Sequence, residues 1–124
     1  MEIHPLSEVF TEEEITRIKR IINPQAKACY ENAWKLCDRF GYDHDIIYCE
    51  GYLDFKGIPI EHAFNKVDGK YVDITSELAL HNNMKDDGYV VVGEFDTDTV
   101  RKILVQTGYY GNIYEVIFMN KHKK

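Results

Sequence analysis

Cys29, His62 and Asp73 carry the side chains from which a covalent catalyst is built, namely a thiol, an imidazole and a carboxylate. A thiol becomes a nucleophile when an imidazole takes its proton, and a carboxylate can hold that imidazole in the productive tautomer. Cys29 is the best placed of the three cysteines, because it lies near the start of a predicted helix, where the helix dipole favours a thiolate. Cys37 lies further along the same helix and Cys49 lies in a predicted strand, so both are predicted to be buried, unpaired packing residues.

A predicted hairpin determines whether His62 and Asp73 can meet. The pair Asp68-Gly69 between two β-rich runs predicts a two-residue type I′ loop. In that register His62 faces Thr75, and it shares one face of the sheet with Asp73 on a diagonal of roughly 5 to 8 Å between Cβ atoms. An imidazole and a carboxylate can make contact at that separation. A loop one residue longer would move Asp73 to the other face, so the prediction depends on this register.

Periodicity and capping patterns predict the elements that must position these residues. The capping box Thr11–Glu14, the glycines Gly41 and Gly108, and the caps in Asp96–Thr99 mark helix ends. Three helices are predicted, over about Glu12–Ile22, over Ala28–Phe40 and from the Asp96–Thr99 caps to Gly108. Five strands are predicted, over Ile46–Leu53, Ile58–Val67, Tyr71–Thr75, Tyr89–Phe95 and Ile113–Met119. Ser76–Asn83 is compatible with either a short helix or an ordered loop.

The order of these elements predicts an α+β fold in which N-terminal helices pack on an antiparallel meander. A length of 124 residues fits one domain that spans 1–124. The basic tail Lys121–Lys124 is predicted to be disordered.

Composition argues against several classes of partner and cofactor. The chain has 15 Lys and Arg residues and 21 Asp and Glu residues, which gives a net charge of −6. A negative charge repels the phosphates of nucleic acid unless basic residues cluster locally, so no nucleic-acid partner is predicted. No apolar run approaches the ~20 residues of a membrane span, and the first residues lack signal-peptide features, which predicts a cytoplasmic protein. The cysteines show no CxxC spacing, so no disulfide framework, metal site or cofactor is predicted. Asp43-His44-Asp45 is predicted to be a solvated turn rather than a metal site.

Three segments resemble motifs of the transglutaminase-like branch of the papain-like cysteine enzymes. His62–Thr75 resembles that family's HAWNxV…DGxWxxVDxT segment, with Phe64 in place of the usual Trp. Cys29–Ala33 is similar to its CxxYA helix start, with Asn32 in place of the aromatic residue, and Glu50–Tyr52 resembles the GY that commonly ends the preceding strand. The resemblance covers about residues 29–75 and leaves residues 1–28 and 76–124 without an assigned motif.

The resemblance implies a transglutaminase-like core with a triad of Cys29, His62 and Asp73. The expected activity is that of a cysteine hydrolase or acyltransferase, such as a peptidase, amidase or transglutaminase-like enzyme, on a peptide, protein or small acyl or amide substrate. The backbone N–H of Cys29 and the side chain of Gln25 are the candidate donors to an oxyanion. The alternative is a binding module that keeps the fold without turnover, for example a phage-type or accessory protein that binds a host partner. The sequence does not decide between hydrolysis and acyl transfer. It does not predict the oligomeric state either.

Overall fold

The computed structural model describes residues 1–81 and 88–122. Two helices precede a four-stranded sheet, and two further helices follow it. In chain order the elements are a 3₁₀ turn at Leu6–Glu8, α1 (Glu12–Ile21), α2 (Cys29–Phe40), β1 (Ile46–Phe55), β2 (Ile58–Val67), β3 (Lys70–Val72), a π-helical turn at Thr75–Ala79, β4 (Tyr89–Phe95), α3 (Thr97–Thr107) and α4 (Ile113–His122).

Local sequence signals account for the helix boundaries. Thr11 begins α1 with a complete capping box, in which its hydroxyl accepts from the Glu14 N–H and the Glu14 carboxylate accepts from the Thr11 N–H. The Asp96 carboxylate accepts from the Thr99 N–H at the start of α3. Gly108 ends α3 with a φ of 77°, a left-handed conformation in which glycine avoids a steric penalty. The three helices predicted from the sequence are confirmed as α1, α2 and α3.

The predicted β2–β3 hairpin is confirmed in its register. Val67 pairs with Lys70 and Asn65 with Val72, so a two-residue loop joins the strands. Asp68 and Gly69 have φ values of 50° and 88°, as a type I′ turn requires at both central positions.

The third strand is shorter than predicted. It ends at Val72, so Thr75 lies in the π-helical turn and is not the strand partner of His62. Asp73 causes the change of direction, because its carboxylate accepts from the Ser76 N–H and its carbonyl accepts from the Glu77 N–H. For Ser76–Asn83 the sequence left open a short helix or an ordered loop. The structure has a helical turn there as far as Ala79, and residues 82–83 lie outside the described residues.

Two predictions about the second half of the chain are wrong. The sheet order is β3-β2-β1-β4, so β4 pairs with β1 across the sheet and does not extend the meander beside β3. The segment predicted as a fifth strand, Ile113–Met119, belongs to the helix α4. The buried Glu50 carboxylate accepts the N–H groups of Ile113 and Tyr114, at 2.8 Å each, and a carboxylate at that position favours a helix N-terminus. The helix includes Lys121 and His122 of the tail predicted to be disordered, and residues 123–124 lie outside the described residues.

The sheet carries apolar clusters on both faces. The larger cluster lies between the sheet and the helices, and it includes Leu36 and Cys37 of α2. The smaller cluster consists of Ile3, Cys49, Phe64 and Tyr89. This arrangement confirms the α+β class with an antiparallel sheet.

Candidate active site

His62 and Asp73 form the centre of a buried polar cluster. The His62 Nε2 lies 2.7 Å from the Asp73 Oδ2, and the two residues are 8% and 0% exposed. Asp73 also accepts from the Tyr89 hydroxyl at 2.6 Å, and from the hydroxyl and the backbone N–H of Ser76 at 2.8 and 3.1 Å. A carboxylate with this many donors keeps its negative charge despite burial.

Cys29 completes the group from the first position of α2. Cys29 is half-buried, and its thiol is among the groups that raise the pKa of the His62 ring. Because Nε2 faces Asp73, Nδ1 is the ring nitrogen that remains for the thiol. The structure therefore brings together the three residues that the sequence singled out.

These residues approach each other from opposite faces of the sheet. Cys29 packs against the cluster on the helical face, whereas the His62 ring lies beside Phe64 and Tyr89 on the other face, with centroids 6.3 and 6.2 Å away. They can meet because β3 pairs with β2 only from Asn65 to Val67, so the edge of β2 beside His62 has no β3 partner. The early end of β3 thus creates the site.

His62 and Asp73 each stabilise the charged form of the other. Burial lowers the pKa of His62, but the hydrogen bond to Asp73 and the contact with Cys29 outweigh burial and raise it to about 10. For Asp73 burial raises the pKa, but its contacts with His62 and Tyr89 outweigh that effect and hold it below its usual range. At neutral pH the His62 ring is therefore favoured in its protonated, imidazolium form beside the Asp73 carboxylate.

Sequence reasoning missed the residues that support this group. Tyr89 and Ser76 hold Asp73, and both follow β3 in residues without an assigned motif. Asn32 is buried on α2, and its amide donates to the Thr75 hydroxyl and to the Gln25 carbonyl, at 2.9 Å each. A buried asparagine among the apolar positions of an amphipathic helix is the one signal that could have identified Asn32.

Gln25 lies in an exposed position, and its side-chain amide donates to the Asn23 carbonyl at 3.0 Å. Its backbone is bonded to the Asn32 side chain, so the start of α2 is tied to the preceding loop. The Cys29 N–H lies in the first turn of α2, where N–H groups lack partners within the helix. The role predicted for Gln25 stays a prediction.

Within residues 1–81 and 88–122, no cluster of three or more His, Cys, Asp or Glu side chains is arranged to hold a metal ion. His44 is bonded to carboxylates instead: its ring nitrogens lie 2.6 Å from Glu14 Oε2 and 2.6 Å from Asp68 Oδ2.

Comparison of the chain with protein-family models, curated proteins and solved structures gave no match. Among the described helices, none has the length and apolar character needed to cross a membrane.

Proposed function

We propose that this protein is a cysteine-dependent hydrolase or acyltransferase that acts on an amide or acyl bond. The observation that carries the proposal is the buried His62 ring, with Asp73 at 2.7 Å on one nitrogen and the Cys29 thiol near enough to raise the pKa of the ring. A histidine that only stabilised the core would need an acceptor but no half-buried thiol beside it.

The proposed reaction uses each group in turn. The thiol proton passes to His62, which holds it as an imidazolium, and the resulting thiolate attacks the substrate carbonyl carbon while the carbonyl electron pair moves to the oxygen. The backbone N–H of Cys29 stabilises that oxyanion, and Gln25 contributes if its amide turns away from Asn23. The tetrahedral intermediate collapses, the leaving group takes the proton from His62, and a thioester remains. Water or an amine then attacks the thioester carbonyl and gives its proton to His62. The carbon–sulfur bond breaks, the acid or the new amide leaves, and the thiolate of Cys29 is restored beside the protonated His62.

The same observations support the proposal of a transglutaminase-like core. A cysteine begins a helix, a histidine follows on a strand, and an aspartate follows directly after the next strand of the same hairpin. Asp73 lies after the strand rather than within it, but its side chain still reaches the His62 ring.

Covalent capture tests the proposal. The native protein is incubated with iodoacetamide and with a panel of acyl and peptidyl electrophiles, and adducts are counted by intact mass. We expect one adduct on the wild type, none on Cys29→Ala, and a labelling rate on His62→Ala that is lower by about 10²-fold or more.

Cys37→Ala and Cys49→Ala are the matched controls, because each removes one buried thiol and should leave the single adduct in place. If Cys29 reacts no faster than the two buried thiols, the enzyme proposal is wrong and the binding module is favoured.

A further inference from the structure

A cavity of about 220 Å³ is lined by residues that adjoin the candidate active site in the chain. Tyr30, the neighbour of Cys29 in the chain, and Glu61, the neighbour of His62, both line it. Its floor includes Gly51, the strand partner of His62, where an added Cβ would lie 1.7 Å from the Val90 carbonyl oxygen. The cavity and the candidate active site therefore share backbone on both α2 and the sheet.

The lining combines carboxylates with aromatic rings. Its described side chains include no lysine, arginine or histidine, and its acidic and aromatic members are Glu50, Glu61, Glu115, Tyr30, Tyr52, Tyr114 and Phe118. Tyr114 and Phe118 are stacked, with centroids 6.2 Å apart. Aromatic faces and carboxylates both attract cations, and a low-dielectric wall strengthens that attraction.

The carboxylates differ in how many partners they already have. Glu50 is buried and accepts from the Tyr48 hydroxyl and from two N–H groups at the start of α4, so its hydrogen-bonding capacity is largely used within the fold. Glu61 lies in an exposed position at the cavity, near the Tyr30 hydroxyl. That hydroxyl also lies 3.4 Å from the Asn112 Oδ1. Glu115 is also exposed at the cavity, but it lies on α4, whereas Glu61 directly precedes His62 on β2, so Glu61 is the exposed carboxylate adjacent in the chain to the candidate active site.

We infer that this cavity binds a cationic side chain of the substrate, an ammonium or a guanidinium group, while the acyl carbon lies at Cys29. The inference rests on the proposed function. It assigns Glu61 as the residue that recognises the charge, with the aromatic rings enclosing the aliphatic stem. The net charge of −6 for the chain favours the approach of such substrates over anionic ones.

Alkylation by iodoacetamides with tails of equal length and different charge tests the inference. The tails end in ammonium, guanidinium, hydroxyl or carboxylate groups, and the rate of adduct formation on Cys29 is measured by intact mass. On the wild type we expect the cationic tails to react about tenfold faster than the carboxylate tail. In Glu61→Gln this ratio should fall about fivefold, and Glu61→Asp should restore much of it. Glu13→Gln, which makes the same charge change on α1 outside the cavity lining, is the matched control and should keep the wild-type ratio.

The outcomes separate the two proposals. Equal rates for all four tails, with rapid labelling of Cys29, would overturn the cationic cavity and leave the proposed enzyme intact. A ratio that falls as much in Glu13→Gln as in Glu61→Gln would assign the preference to the whole surface and overturn the role of Glu61. Failure of every probe to label Cys29 faster than the buried thiols would overturn the proposed function and the inference with it.

Discussion

Asp73 is the residue on which the site depends, because it is fully buried and its carboxylate accepts hydrogen bonds from His62, Ser76 and Tyr89. Replacing it leaves several donors without an acceptor in the core. Cys29, in contrast, is half-buried at a helix start, and removal of its sulfur leaves the hydrogen bonds to Asp73 in place. Replacement of Asp73 should therefore lower stability more than replacement of Cys29, whereas replacement of Cys29 should lower reactivity more.

We expect Cys29→Ala to fold with wild-type stability and to lose all labelling at this position. We expect Asp73→Ala to lose about 3 kcal/mol of unfolding free energy and to keep slow labelling of Cys29. Thermal unfolding and intact mass on both variants check this. Wild-type labelling rates in Asp73→Ala, together with lost labelling in His62→Ala, would reduce the site to a dyad of Cys29 and His62.

Tyr89 is predicted to act as a positioning residue through Asp73. Tyr89→Phe removes the 2.6 Å hydrogen bond to the carboxylate and keeps the ring that packs on Phe64. We expect a loss of about 1 kcal/mol in unfolding free energy and a several-fold slower labelling of Cys29, with the pH profile of labelling displaced.

Tyr71→Phe is the control for Tyr89→Phe, because the Tyr71 hydroxyl donates to the exposed Glu94 and its ring also packs on Phe64. Labelling that slows equally in both variants would show that Tyr89 acts only through packing.

At the scale of elements, His44 joins three parts of the fold that are distant in sequence. It lies in the loop before β1 and contacts Glu14 on α1 and Asp68 in the β2–β3 turn. Burial lowers the pKa of His44, but the two carboxylates outweigh burial and raise it. The pKa values of Glu14 and Asp68 are correspondingly lowered, in part by His44. The hairpin that carries His62 and precedes Asp73 is thereby tied to the first helix.

This contact should stabilise the protein within a limited pH window. A raised histidine pKa contributes stability below the ordinary value of 6.5, and that contribution is lost as pH rises through the folded-state value. The lowered pKa values of Glu14 and Asp68 stabilise the folded state above about pH 4.5, and this contribution is lost in acid.

We therefore expect His44→Gln to cost about 1 kcal/mol near pH 6 and progressively less towards pH 9, as measured by urea unfolding across pH. His4→Gln is the control, since the ring of His4 contacts Glu2 and Glu8, two exposed glutamates near the N-terminus. A cost that does not change with pH would show that His44 contributes by packing alone.

At the scale of the molecule, the strands of one sheet contribute to two hydrophobic clusters, one on each face. Cys37 is 2% exposed in the cluster on the helical face and Cys49 is 0% exposed in the cluster on the other face. Burial raises the pKa of both thiols, that of Cys37 to about 12, and neither is in a disulfide. The prediction that both are buried and unpaired is confirmed.

Because β1 and β2 contribute to both clusters, we expect the two faces to unfold together. In a urea series, Cys37 and Cys49 should become reactive to a thiol reagent at the same midpoint, whereas Cys29 should react before unfolding. Alkylation followed by peptide mass mapping measures each thiol separately. Exposure of Cys49 at lower urea would show that the smaller cluster opens independently.

The sequence by itself determined what depends on neighbours along the chain. The α1 capping box, the Gly108 helix end and the Asp68-Gly69 turn are each encoded within a few residues, and the turn sets the register that brings His62 and Asp73 to one region. These local signals do not depend on the rest of the fold, so they could be predicted.

The tertiary structure decided what depends on groups distant in the chain. The segment from Ile113 has a β-rich composition, yet it is helical because Glu50, 63 residues earlier, accepts its first N–H groups. Tyr89 could not be connected with Asp73 before β4 was known to pair with β1. Hydrogen bonds to a buried carboxylate outweigh a local propensity of a few tenths of a kcal/mol per residue, and their partners are identified only once the chain has folded.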